Sequence, residues 1–389
     1  MDWANLIVRW VHFTAGIAWI GSSFYFIWLD RNLTVPTPAR PGVEGDLWMV
    51  HSGGFYQVEK RRIGPGLGPA ILHWFKWEAM LTWASGIVLL AIVYYAGSLA
   101  MLVEPGPGSP SRWQAIALSV VVLVGGWILY DAIWRRMGSR EWHALGLSSI
   151  LLIVVIVLLF ALLSPRAAYI HVGALMGTVM VANVWLVILP AQQQMIDATM
   201  RGETPDWSLG EAAKRRSVHN SYLTFPVLFL MVSSHYPQTW GHPHGAWLLV
   251  LLSAAGALAR HAMIGQGPRR LWALAPMLAC LVATIAIAAP RTVGSAARGA
   301  APMPRFADVR TIIHARCLSC HSAYPTDRVF TVAPLGVVFD TPDQVVAQAT
   351  RIRERAVVQR TMPFGNGTGM TDAERELLGR WIDAGAPRP

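Results

Sequence analysis

Cys317-Leu318-Ser319-Cys320-His321 decides how the C-terminal part of this chain folds. Two thiols at this spacing can each add across a vinyl group of one haem, and the histidine that follows lies where it can ligate the iron. The stretch reads as covalent c-type haem attachment. It sets a redox cofactor, an electron-transfer role and the compartment of the C-terminal segment together. The competing reading is a structural Cys-x-x-Cys pair, as a disulfide or as half a zinc site. A zinc site wants two further Cys or His ligands at similar spacing, and downstream of His321 there is neither.

Upstream, the composition is that of a membrane protein. Charged residues make up 14% of the chain and hydrophobic residues 54%, where soluble domains carry roughly 25% charged residues. Eight apolar stretches approach or exceed the length needed to cross a bilayer: Trp3 to Leu29, Ile71 to Ala96, Trp113 to Trp134, His143 to Leu163, Tyr169 to Leu189, His219 to Tyr236, Gly245 to Ile264 and Leu271 to Ala289. The first has no basic region before it and is too long for a signal-peptide core, so it reads as a retained helix. The expected fold is all-α, an eight-helix transmembrane bundle over residues 1–290 followed by a small class I cytochrome c domain.

The net charge of +10 could point to nucleic acid, but the basic residues sit in short loops between apolar segments. Arg31, Arg40, Lys60, Arg61 and Arg62 fall in the first loop, and Arg135, Arg136 and Arg140 in the third. Arg201, Lys214, Arg215 and Arg216 fall in the fifth; Arg269 and Arg270, with Arg260 nearby, in the seventh. Odd loops are then cytoplasmic and both termini lie outside. Haem c is attached on the periplasmic side of a bacterial inner membrane, which agrees on separate grounds. Cys280 lies within an apolar segment as a small hydrophobe.

Residues 291–304 form a linker rich in Ala, Gly and Pro, and 305–389 a compact periplasmic domain. A helix over Phe306 to Ala315 leads into the haem motif. Thr341-Pro342-Asp343-Gln344 and Thr371-Asp372-Ala373-Glu374 each carry a capping hydroxyl and a Gln or Glu three residues on, so each starts a helix. The last helix places Leu377, Leu378, Trp381 and Ile382 on one face. The loop between these helices should supply the sixth iron ligand: Met362, pinned by Pro363, with Met370 as competitor. A His321/Met362 pair raises the haem potential.

Histidines in a bilayer mark function by default, although each alone is more often a hydrogen-bonding core residue. His12, His171 and His235 fall nearer the outer face, with His242 and His244 in an outer loop. His51, His73, His143, His219 and His261 fall nearer the cytoplasm, with Lys76 and Glu78 beside His73. His143 and His219 start helices at the interface, where the structural reading is stronger. If the electron donor is oxidised on the cytoplasmic side, the roughly 30 Å hydrocarbon core is too thick for one hop. A b-type haem held by two membrane histidines, His12 and His171, would then be needed. If the donor enters from outside, none is.

Val11-His12-Phe13 through Trp19-Ile20-Gly21, Val50-His51-Ser52-Gly53-Gly54-Phe55-Tyr56, His73-Trp74-Phe75-Lys76-Trp77-Glu78 and the C-terminal cytochrome together resemble the membrane-bound urate hydroxylase (PuuD-type urate oxidase) family. The likeness covers essentially the whole chain. It implies oxidation of urate to 5-hydroxyisourate, with electrons leaving through haem c to cytochrome c oxidase or a soluble cytochrome. The same segments imply His73 and His51 as candidates for the general base, a task a neutral histidine suits near pH 7. Lys76 would meet the anionic substrate and Glu78 would orient. The structural alternative is that Gly53-Gly54 and the Gly64-to-Pro69 run form a re-entrant or interfacial loop. Two other functional classes stay open: a quinol-to-cytochrome electron-transfer subunit, and a haem-linked transporter or sensor.

Overall fold

The computed structural model describes residues 2–61, 72–104, 108–265, 268–289, 303–327, 330 and 332–388. The Gly64-to-Pro69 run and the linker as far as Pro302 lie outside the described residues. The chain is mostly helical. Helix α1 spans Asp2–Asn32 and is followed by strands β1, Val43–His51, and β2, Gly54–Arg61. Helix α2, Trp77–Leu90, ends in a π-helical turn, Ala91–Tyr95, before the short α3, Leu99–Leu102. Then come α4, Arg112–Met137, α5, Glu141–Leu162, and α6, Pro165–Ala182. A second π-helical turn, Asn183–Ile188, joins α6 to α7, Leu189–Met200. Helices α8, Trp207–Val232, α9, Pro237–Trp240, α10, Gly245–Ile264, and α11, Leu274–Ala288, complete this half. The C-terminal part holds α12, Phe306–Arg316, α13, Pro342–Ala347, α14, Ala349–Ile352, and α15, Asp372–Asp383.

Six of these segments are long and apolar enough to cross a membrane: Trp77–Tyr95, Arg112–Met137, Glu141–Leu162, Pro165–Met200, Gly245–Ile264 and Arg270–Ala288. Helices α1 and α8 do not reach that threshold, so six of the eight expected spans are met. In α8 the apolar part is short: the helix ends at Val232, its first half carries Lys214, Arg215 and Arg216, and His219 and Asn220 follow. Arg216 is 5% exposed and Arg260, within α10, 2%; neither is the loop charge it was expected to be. Serine caps show why α4 and α6 start where they do. Ser111 accepts from Gln114 N–H and Ser164 from Ala167 N–H, with Pro165 at the first helical position of α6.

The all-α expectation needs correction at the first loop. β1 and β2 pair antiparallel with Val50 opposite Phe55 and His51 opposite Gly54. Ser52 and Gly53 both take positive φ, 48° and 77°, the backbone of a two-residue hairpin turn. Gly53-Gly54 is thus hairpin rather than a re-entrant loop. Arg40 pairs with Asp46 and Glu59 inside the hairpin, and Lys60 ties it to Asp30 of α1 at 2.9 Å.

Two hydrophobic cores share no residue. The first centres on α6, whose Tyr169, Val172, Leu175, Met176 and Val179 pack against α4, α5 and α8 residues such as Val122, Ile156 and Leu230. At Gly126 a Cβ would lie 2.6 Å from Leu175 Cδ1, whereas Gly125 faces open space. Gly256 of α10 allows a closer approach, with Phe225 Cβ and Pro226 Cδ each 3.1 Å from where its Cβ would be. The second core gathers Val309, Ile312 and Ile313 of α12, Val345, Ile352, and Leu378 and Trp381 of α15, with Leu377 and Ile382 packed against it. Both expected capping boxes are present, at Thr341 with Gln344 and at Thr371 with Glu374. Gly256→Val should lower thermal stability in detergent by about 1–3 kcal/mol through overpacking, while Gly125→Val should change the midpoint little. Equal effects would mean that α8 and α10 do not meet at Gly256.

Candidate functional site

The haem motif lies at the end of α12. Cys317 N–H donates to Ile313 O at 2.9 Å and His321 N–H to Cys317 O at 2.9 Å, so the five residues wind as one tight turn. His321 Nδ1 lies 2.9 Å from Val337 O. A carbonyl only accepts, so Nδ1 carries the proton and Nε2 keeps its lone pair for a metal. Both cysteines are free thiols. Burial pushes the Cys317 thiol up to about 12 and raises Cys320 as well. Among the described residues no three His, Cys, Asp or Glu side chains converge as a metal-binding group.

Met362 packs with Cys317 and Leu318 against the second core. Its backbone is held on both sides: N–H donates to Arg355 O at 3.0 Å and its carbonyl accepts from Arg375 Nη1 at 2.7 Å. Arg375 is 5% exposed and also donates to Ala356 O and to Asn366 Oδ1. It is a staple between α15 and the methionine loop. Sequence reasoning did not find it, since an arginine beside a capping glutamate looks like surface charge. Met370 is 3% exposed in the core, with its backbone bonded in both directions to Asn366. The donor set of an imidazole nitrogen and a thioether, beside two free thiols, fits a c-type haem.

In the membrane half, the π-helical turn Asn183–Ile188 brings Trp185 to the start of α2. Lys76 Nζ lies 5.7 Å from the Trp74 ring, 5.7 Å from Trp77 and 5.6 Å from Trp185. Trp77 and Trp185 meet edge to face at 5.4 Å. Trp185 Nε1 is buried and unpartnered in this corner. Glu78 Oε2 is buried and unpartnered too, but Glu78 lies on the stripe of α2 that carries Thr82 and Ser85 towards His12. The corner therefore offers a cation among indole rings and one open donor. π-turns are frequent at functional sites because the extra residue re-aims the side chains around it.

The other expected catalytic residues are not drawn into this corner. His51 ends β1 at the exposed hairpin tip. His73 is exposed and stacks its edge on Phe75 at 4.7 Å. Among the described residues no hydrogen bond or ring contact joins His51 to His73, or either to Lys76 or Glu78. His12 and His171 each keep Nε2 free, with Nδ1 at 2.8 Å from Thr82 O and at 2.7 Å from Ala167 O respectively. His171 is fully buried and its Nε2 has no partner. They meet α2 at different heights, however. His12 sits against Thr82 and Ser85, and His171 against Tyr94 and Tyr95. From Ser85 to Tyr94 the helix advances roughly 13 Å at about 1.5 Å per residue. His12 and His171 thus touch different parts of this helical segment, and we derive no step through an intramembrane haem.

A buried network was also missed by sequence reasoning. His219 Nδ1 lies 2.6 Å from Tyr130 Oη, and Asn183 Nδ2 donates to Tyr130 Oη at 3.3 Å and Asn220 Oδ1 at 2.9 Å. Arg216 pairs with Asp131 at 2.6 Å. The available signal was an amide within each of two apolar stretches, Asn183 and Asn220, where packing alone would not place one.

Residues 1–289 match the family described as urate oxidase N-terminal. No curated protein and no solved structure matches the chain. In the haem-loaded protein, Met362→Ala should remove the methionine-ligation signature from the ferric spectrum, and Arg375→Ala should weaken it. Met370→Ala should instead cost about 2–5 kcal/mol of stability and leave ligation intact. A ligation change confined to Met370→Ala would reverse the assignment.

Proposed function

The chain belongs to the urate oxidase N-terminal family, and from that premise we propose that it is a membrane-bound urate hydroxylase with its own cytochrome c domain. Urate and water give 5-hydroxyisourate, two protons and two electrons. The observation that carries the reading is the family match over residues 1–289. The corner at Lys76 supplies chemistry suited to such a substrate. Lys76 attracts the urate anion, and the Trp77 and Trp185 rings offer flat apolar faces to a purine. Trp185 Nε1–H donates to a urate carbonyl, and the open Glu78 oxygen accepts from a urate N–H. These assignments use two of the buried polar atoms that the fold leaves without partners.

His73, exposed three residues before Lys76 in sequence, is the proposed base that draws a proton from urate or water; His51 on the hairpin tip is the second candidate. Cys317 and Cys320 would tether haem c, with His321 Nε2 and Met362 as the residues that would hold its iron. When bound, the haem would supply a one-electron acceptor; in this topology the Lys76 corner lies at the cytoplasmic ends of its helices, so a carrier within the bundle would have to link the two. Thr361, next to Met362, packs on Gly241, where a Cβ would lie 2.4 Å from Thr361 Cγ2. The methionine loop thereby rests on the loop before α10. In this proposal α1 and α8 complete an eight-span bundle in the bacterial inner membrane. Both termini and the cytochrome domain, residues 305–389, are periplasmic, and cytochrome c oxidase or a soluble cytochrome takes the electrons.

Anaerobic mixing of the oxidised holoprotein with urate should reduce the haem and release 5-hydroxyisourate; an intact holoprotein that stays oxidised would remove the assignment. Trp185→Phe keeps the ring and deletes the donor. It should raise KM about 5–10-fold, as expected for a hydrogen bond worth about 1 kcal/mol, and leave the haem spectrum unchanged. An unaltered KM would take Trp185 out of substrate binding.

A further inference from the structure

Arg260 of α10 is 2% exposed. Its Nε donates to Ser221 Oγ at 2.9 Å, and its guanidinium carbon lies 3.9 Å from the Phe24 ring centroid. Nη2 is buried and has no hydrogen-bond partner. Arg216, buried to a similar degree, also leaves one nitrogen, Nη1, without a partner, but its charge is met by a carboxylate, Asp131, at 2.6 Å. Arg260 has none among the described residues. Its charged neighbour is Arg31, a second cation, which donates to Met263 O and Gly265 O just beyond it on the chain. Residues 62–71 and 266–267 contain no Asp or Glu, so a counter-ion cannot come from there either.

An uncompensated charge inside a bundle is costly. The Phe24 face offsets part of that cost and leaves Nη2 open. At 2% exposure the side chain does not reach water to relieve the rest. We infer that Arg260, held by Ser221 and Phe24, is a binding site for an anionic group that presents an acceptor oxygen to Nη2. Two sources carry that chemistry, the urate anion and the phosphate of an acidic phospholipid.

Thermal unfolding of the full-length protein in nanodiscs tests the site and separates the sources. In phosphatidylcholine alone, added urate should raise the wild-type midpoint if the substrate is the anion. Replacing half of the lipid with phosphatidylglycerol should do so if the headgroup is. In either case Arg260→Gln should lose the rise. Ser221→Asp places a carboxylate beside the guanidinium and covers the event that Arg260→Gln fails to fold. It should raise the midpoint in phosphatidylcholine alone and abolish the response to added anion. The inference is overturned if neither anion shifts the wild type, if Arg260→Gln responds as the wild type does, or if Ser221→Asp keeps the full response. A urate response retained in Arg260→Gln would belong to the Lys76 corner, so the urate reading can stand while this one falls.

Discussion

A polar side chain placed inside a bilayer finds no water to turn to, so each must be answered by another group or be held for something that arrives. The membrane half divides along that line. Asp131 answers Arg216, Tyr130 answers His219, and Asn220 answers Asn183. These pairs join α4, the π-turn and α8 across the bundle, and they account for why α8 can carry so many polar residues. Glu78 Oε2, Trp185 Nε1, His171 Nε2 and Arg260 Nη2 are buried and unanswered. Pairing holds the bundle together, although open atoms also occur within the paired groups, at Asn183 Oδ1 and Arg216 Nη1.

The π-turn at Asn183–Ile188 connects the two groups. Asn183 joins the hydrogen-bonded network, while Trp185, two residues on, stands over Lys76. One irregular turn thus anchors a helix and opens a corner within six residues. Regular α-helical spacing would put these side chains about 200° apart but would not give the extra residue that lets both partners be met.

The C-terminal part follows another logic. Its core is small, and four helices with their caps surround Phe306, Leu378 and Trp381. Arg375 reaches from α15 to three points of the 356–366 loop. One buried guanidinium holds the backbone of Met362, as Val337 holds the ring of His321. In the proposed haem site, fixing the backbone of Met362 and the tautomer of His321 would set both ligands before any iron binds.

The sequence alone determined what depends on local order. The Cys317-to-His321 spacing, the Thr341 and Thr371 caps, the apolar face of α15 and most of the long apolar helices are set by contacts within a few residues, so they can be read without a fold. The hairpin was hidden because Ser52-Gly53-Gly54 serves a loop as well as a turn, and only strand pairing decides between them. Arg216 and Arg260 resembled loop charge because a sequence does not show which side of a helix faces its neighbours. Which of Lys76, Glu78, His51 and His73 meet Trp185 was decided by tertiary structure alone, since residues more than 100 positions apart in the chain become neighbours only when helices pack.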